Sequence, residues 1–178
     1  MSSSRSASFA QSLKTGQIGE GLIARWLIRR GSSILPAYQI EIQHGKGPRF
    51  FTPDGVFVSP DLLVFSGEKV TWIEAKTKSA FTWHRISRTW QTGIDLRHWH
   101  DYVKVDMLSN WPVWLMFLQR PGVAKDTPPG MVCPAGLFGN EVSRLVGSVH
   151  HEHEGHGPSG MVYWTDDALK KLADISEF

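Results

Sequence analysis

The chain has 178 residues, 41% of them apolar and eight of them tryptophan, enough to bury a sizeable core within one domain. Its net charge of +2 marks neither a polybasic nor an acidic protein, and no apolar run reaches the roughly 18 residues of a membrane span, so no membrane partner is expected. A single cysteine excludes intrachain disulfides and fits a reducing cytoplasm, the expected location.

Residues 1–12 open as Met-Ser-Ser-Ser-Arg-Ser-Ala-Ser, without the apolar centre of a signal peptide or a lipidation motif. They read as a disordered tail ahead of a single domain over 13–178. From 14 to 30, Ile18, Leu22, Ile23, Trp26 and Leu27 share one helical face, and Gly31 stands where a helix would end. Residues 37–58 hold an extra strand or loop that includes a Pro53-Asp54 pair. Two short apolar runs follow, Leu62 to Phe65 and Val70 to Ile73, separated by Ser66-Gly67-Glu68-Lys69, and these read as a β-hairpin. Leu96, Trp99, Val103 and Met107 recur at helical spacing over 95–108, and the continuous apolar run 112–118 reads as a buried central strand. The Gly-, Pro- and His-rich stretch 121–160 reads as an insertion. Met161 to Trp164 is expected as the last strand, with Thr165 capping a helix that runs through Leu169 and Leu172.

The chemistry concentrates around the hairpin. If Ser66 pairs with Lys69, counting outward sets 65 opposite 70, 63 opposite 72 and Asp61 opposite Glu74, their Cβ atoms about 4.5–5.5 Å apart on one face. Lys76 shares that face, because side chains alternate along a strand, while Ile73 and Ala75 point into a core. Two carboxylates so close repel and call for a cation or a proton. A hard divalent ion fits, since Mg²⁺ is commonly held by one or two carboxylates, waters and phosphate oxygens. The bland alternative is a surface hairpin whose Asp, Glu and Lys form a solvated ion network.

Pro60-Asp61 followed by Glu74-Ala75-Lys76 at the end of an apolar strand resembles the signature of the PD-(D/E)xK nuclease superfamily, and the likeness covers roughly residues 14–120. It implies a restriction-endonuclease-like α/β fold: a three-layer α/β/α sandwich with a central mixed sheet, its core ordered helix, three-stranded meander, helix, strand. It implies metal-dependent hydrolysis of DNA phosphodiester bonds that leaves a 5′-phosphate. Asp61 and Glu74, with the Ala75 carbonyl, would bind Mg²⁺ or Mn²⁺, and Lys76 would serve the attacking water. Glu20 falls where resolvase-like members carry a helical acid near the metal; a surface glutamate is the alternative. Gln91-Thr92-Gly93-Ile94-Asp95 with Tyr102 resembles the segment in which phage exonuclease-like members hold a glutamine near the lysine; Gln91 could equally be a helix cap. The mixture points to a phage or mobile-element enzyme of repair, recombination or DNA processing. Related resolvases are often dimers, so a homodimer is compatible, though no surface can be nominated. Asp54 is a rival to Asp61 that the register disfavours, with a place as a third acid near the metal as the alternative.

Charge is unevenly distributed. Residues 76–104 carry six Lys or Arg against two Asp, whereas 141–178 carry three against seven acids. The basic half is the motif half, which suits DNA, whether duplex, branched or single-stranded, with Lys78, Arg85 and Arg88 on phosphates. Trp83 and Trp90 are read as core, with stacking on unpaired bases as the alternative. His150 to His156 and Cys133 could bind Zn²⁺, but their spacing matches no zinc pattern, and the segment reads as a solvated hairpin or loop tip. Two other function classes stand beside the nuclease: a non-catalytic DNA-binding or assembly subunit, and a metal-handling protein built on those histidines.

Overall fold

The structure, a computed structural model, describes residues 3–37, 48–124 and 126–178. Helix α1 (Ser3–Arg29) opens the chain and therefore covers most of the segment read as a tail. It ends as anticipated: Gly31 adopts φ +88°, and the Ser32 N–H returns to the Leu27 carbonyl at 3.1 Å. After it come β1 (Ser33–Pro36), β2 (Arg49–Thr52), β3 (Gly55–Val58), β4 (Leu62–Ser66), β5 (Lys69–Lys78), β6 (Thr82–His84) and β7 (Thr89–Asp95). Then follow α2 (Leu96–Ser109), β8 (Val113–Gln119), β9 (Gly136–Glu141), α3 (Val142–Val146), β10 (His151–His153), β11 (Met161–Thr165) and β12 (Lys170–Ala173).

The central sheet has six strands in the order β1-β4-β5-β8-β9-β12. It is mixed: β5 and β8 run parallel and every other pair is antiparallel. The core order expected from the resemblance is therefore present, with α1, the meander β1-β4-β5, α2, and β8 returning beside β5. The β2–β3 hairpin supplies the extra strand expected within 37–58, its register setting Thr52 against Gly55 around Pro53 and Asp54.

Helices lie on both faces of this sheet. On one, Ile23, Trp26 and Leu27 of α1 pack on Leu62, Val64, Ile73, Ala75, Met116 and Leu118. On the other, Trp99, Tyr102 and Val105 of α2 pack with Val113, Leu115, Phe117 and Trp164. That second layer also holds a four-stranded antiparallel sheet, β10-β11-β7-β6. The faces follow the periods read from sequence with two exceptions: Ile18 is 50% and Met107 74% exposed. Each sits at the margin of its apolar stripe, turned past the sheet it was expected to cover.

Two assignments are corrected. The stretch 121–160 is more than an insertion, because β9 lies within it and forms the fifth strand of the central sheet. Its glycines mark close backbone approach rather than a loop: a Cβ on Gly139 would stand 2.6 Å from the Leu115 carbonyl oxygen, and one on Gly136 would stand 2.5 Å from that of Ala173. The closing helix is the other. Asp166–Ala168 makes one 3-10 turn, after which β12 pairs with the free edge of β9. Asp-Asp after Thr is start chemistry for either structure, and the open sheet edge decides between them. No described helix is long and apolar enough to cross a membrane.

Candidate active site

The β4–β5 hairpin has the register counted from sequence, with Ser66 opposite Lys69, Phe65 opposite Val70 and Leu62 opposite Ile73. Because β4 begins at Leu62, β5 continues from Glu74 to Lys78 with no strand paired to that edge among the described residues. Asp61 turns into the gap. Its Oδ2 accepts the Ala75 N–H at 3.0 Å, and its own carbonyl accepts the Ala37 N–H at 2.8 Å. N–H and C=O of one strand residue face the same edge, so the Ala75 carbonyl opens onto the gap beside the Asp61 carboxylate.

Glu74 is 1% exposed and lies on the α2 side of the sheet, where the Lys76 ammonium contacts its Oε1. Ile73 and Ala75 point to α1, as the alternation requires. Helix α1 brings Glu20 close enough for the charges of Glu74 and Lys76 to act on it. That approach depends on Gly19, which packs directly on Thr77: a Cβ there would fall 1.4 Å from Thr77 Oγ1. From the other side α2 presents His98 and Tyr102, one turn apart, to the same charges.

The electrostatics are those of crowded acids short of positive charge. Burial raises the Asp61 carboxyl well above its ordinary value and the Glu74 charge raises it further, against the opposing pull of Lys76 and the Ala75 N–H. Burial raises Glu20 as well. Burial works against the Lys76 ammonium, but Glu74, Asp61 and Glu20 outweigh it and hold the proton more firmly than on an ordinary lysine. Burial and the neighbouring Lys76 bring Lys78 down to about 8. His98 is lowered by burial and by Lys76, which favours the neutral imidazole. Tyr102 is raised well above its usual range, by burial first and then by Glu74 and Asp61.

Among the described residues no three His, Cys, Asp or Glu side chains converge tightly enough to enclose a metal ion unaided. The donors at the gap are two carboxylates and a carbonyl, a sparse oxygen set of the kind Mg²⁺ completes with water and substrate oxygens. A cation there would relieve the repulsion that raises Asp61.

The other candidates are divided. Lys78 shares the face of Lys76 and lines, with Thr77, Ser79, Arg120 and Pro121, a cleft of about 280 Å³ at the end of β5. Arg85 and Arg88 lie at the tip of the β6–β7 hairpin and, among the described residues, make no ion pair with Asp61, Glu74 or Glu20. Gln91 is buried in β7 of the second sheet, opposite Thr82 and Thr165, and its side-chain oxygen has no hydrogen-bond partner among the described residues. It makes no hydrogen bond or ion pair with the acids among the described residues, and Asp95 is the residue that caps α2, accepting from the Arg97 and His98 N–H groups. Asp54 sits in the turn of the β2–β3 hairpin, and Asp61 is the acid bonded to the Ala75 N–H and acted on by the Glu74 charge. Trp90 is buried against Trp83, as core. In β10, His151 packs on His150 and Tyr163 and His153 stacks on His156, and Cys133 is buried beside the Phe81 carbonyl.

Sequence reasoning assigned no role to His98, although its i,i+4 spacing with Tyr102 puts both on the face that covers Glu74. It also passed over Gln119. This residue closes the apolar run of β8 directly opposite Lys78, fully buried, with both side-chain polar atoms unpartnered among the described residues. A polar residue ending an otherwise apolar strand was the available signal.

Lys78 yields a pH prediction. Free Lys78 loses its proton as pH rises through about 8, so its attraction for a phosphate is present below that pH and lost above it. Affinity for a phosphate-bearing ligand seated at this cleft, measured in EDTA, is expected to weaken between pH 7 and 9.5 by roughly two- to fivefold, the worth of one partly exposed ion pair. The Lys78→Arg protein should show a flat profile over the same range.

No family model matches the chain, and neither does any curated protein sequence. Solved structures similar to it include the Holliday junction resolvase Hjc of Archaeoglobus fulgidus, an archaeal hyperthermophile. That likeness covers 86% of this chain and 90% of the resolvase, with 10% identity and a TM-score of 0.49. D212, a nuclease from a fusselovirus, is similar over 98% of this chain and 87% of its own, with 13% identity and a TM-score of 0.41. Both are likenesses of fold at low identity, and neither assigns a role to any residue of this chain.

Proposed function

We propose that the chain is a divalent-metal-dependent nuclease that hydrolyses DNA phosphodiester bonds, with Asp61, Glu74 and Lys76 as its central residues. One observation carries this reading: beyond the end of the β4–β5 ladder, Asp61 is hydrogen-bonded across to the Ala75 N–H beside a buried Glu74 and the Lys76 ammonium. Asp61, Glu74 and the Ala75 carbonyl would hold Mg²⁺ or Mn²⁺, which when bound polarises a phosphoryl oxygen and lowers the pKa of water.

The remaining roles belong to side chains. Lys76 keeps its proton under the influence of three acids, so it acts as a hydrogen-bond donor that orients the attacking water and offsets charge developing on the phosphate. Glu20 adds a third carboxylate on the α1 side. Lys78, at the cleft it shares with Arg120, supplies positive charge for an adjacent phosphate and offsets the repulsion between DNA and the acids. A process in phage or mobile-element DNA repair, recombination or processing suits such an enzyme, and action as a homodimer would let it cut two strands of a branched substrate.

The test is incubation of the purified chain with labelled linear, single-stranded, flapped and four-way-junction DNA, each in EDTA, Mg²⁺ or Mn²⁺. Cleavage confined to the metal-containing reactions is expected, and the best substrate identifies the structure recognised. Binding to every DNA with no product under any metal would instead support a non-catalytic DNA-binding subunit on the same fold.

A further inference from the structure

We propose that the β6–β7 hairpin is a wedge that enters duplex DNA, with Ile86 at its tip inserted between base steps and Arg85 and Arg88 on the flanking phosphates. The inference rests on the DNA-cleaving reading of the site and adds to it a device for distorting the substrate.

Ile86 is 89% exposed. A single exposed aliphatic residue is ordinary on a protein surface, so the case depends on its setting. The tip is closed by the Arg88 N–H bonding the His84 carbonyl at 2.8 Å, with Arg88 at φ +54°. It is further tied by His84 Nδ1 to Ser87 Oγ at 2.7 Å and by Ser87 Oγ to Thr89 Oγ1 at 2.7 Å. Beneath the tip Trp83 and Trp90 meet edge to face, 4.9 Å between ring centroids, with Trp90 in the core. Ile86 is thus carried on a braced, anchored projection, so insertion would not first require a loop to be ordered.

Its flanks have the charge a nucleic acid selects. From Thr82 to Ile94 there is no acidic residue, and an arginine lies on either side of the Ile86-Ser87 tip. Arg85 contacts Asp126, but the pair is exposed, and a surface ion pair of that kind contributes little and is readily exchanged for a phosphate. Apolar wedges flanked by cations are how proteins unstack and kink a duplex.

Geometry allows one DNA molecule to meet both features. Ile86 lies only eight positions after Lys78, a span of at most about 29 Å, within the roughly 34 Å of one duplex turn. Because unstacking costs least where the stack is already interrupted, the wedge would favour branched, nicked or mismatched DNA over intact duplex.

The experiment uses the full chain in EDTA, so that binding is read without cleavage, on intact duplex and on a four-way junction carrying 2-aminopurine at scanned positions. Wild type should raise the fluorescence at a defined step, as unstacking does. Ile86→Ser should lose that rise and bind roughly tenfold more weakly, the effect of removing one buried aliphatic side chain. Arg85→Gln with Arg88→Gln should flatten the salt dependence of affinity. Ile28→Ser, at a 56% exposed position on α1, should change nothing. Unaltered affinity and fluorescence in Ile86→Ser would overturn the wedge, and would do so alone if wild type still cuts DNA in Mg²⁺. A wild-type chain that neither binds DNA in EDTA nor cuts it in Mg²⁺ would overturn the wedge and the nuclease reading together.

Discussion

Asp61→Asn is expected to abolish DNA cleavage and, in EDTA, to make the protein more stable. Asparagine keeps an oxygen that can accept the Ala75 N–H, now held at 3.0 Å, so the gap at β5 stays closed in the same way. What it removes is a carboxylate destabilised by burial and by Glu74. The sign follows from linkage. An acid whose pKa is higher folded than unfolded binds more protons in the native state, so stability falls as pH rises from the ordinary value of 3.8 through the raised folded one. The gain in Asp61→Asn should therefore be present at neutral pH and vanish below pH 3.8. Relief of a strained functional site of this kind commonly contributes about 0.5–2 kcal/mol. Cleavage should fall by about a thousandfold or more, because a group that positions charge at the transition state is lost. Thermal unfolding in EDTA and in Mg²⁺ checks both halves: metal should stabilise wild type and leave Asp61→Asn unmoved.

Gly19→Ala and Gly21→Ala should shift stability in opposite directions. Helix propensity alone predicts the same gain for each, up to about 1 kcal/mol. A Cβ at Gly21 meets only Arg25 Nη1 at 3.6 Å, so that substitution should realise the gain. At Gly19 the new atom would lie 1.4 Å from Thr77 Oγ1 and 2.7 Å from Thr77 Cβ, and rotation of the threonine cannot move the second. Overpacking of this order costs about 1–3 kcal/mol or more, so α1 must lift from β5 and take Glu20 away from Glu74 and Lys76. The two proteins should differ by about 3 kcal/mol, or roughly 6–12 °C in Tm for a domain of this size. Equal thermal shifts would mean that α1 does not seat on β5 at Gly19.

What was legible in the sequence is what local pairing determines. The turn at Gly67-Glu68 sets the register, which runs out to Leu62 opposite Ile73 as counted, whereas the pairing expected next, of Asp61 with Glu74, gives way to a bond from the Ala75 N–H to the Asp61 carboxylate. The stripe of Ile23, Trp26 and Leu27, and the apolar run of β8, were readable for the same reason. Contacts that depend on remote partners were hidden. β12 forms because β9 offers an edge, and β9 itself is disguised by glycines whose purpose is close approach to Leu115 and Ala173. Gln91 follows a motif-like pattern, yet it lies in a second sheet that no spacing in the sequence announces. His98 and Gln119 become relevant only once α2 and β8 are set against β5.

The central claim is that Glu74, buried beside Asp61 and Lys76, serves catalysis rather than the fold or DNA binding. Its most direct test is single-turnover cleavage of the preferred DNA in Mg²⁺ by wild type and by Glu74→Ala, with affinity measured on the same DNA. A loss of about a thousandfold or more in rate at closely similar affinity is the predicted result. Cleavage by Glu74→Ala at near the wild-type rate would contradict the account.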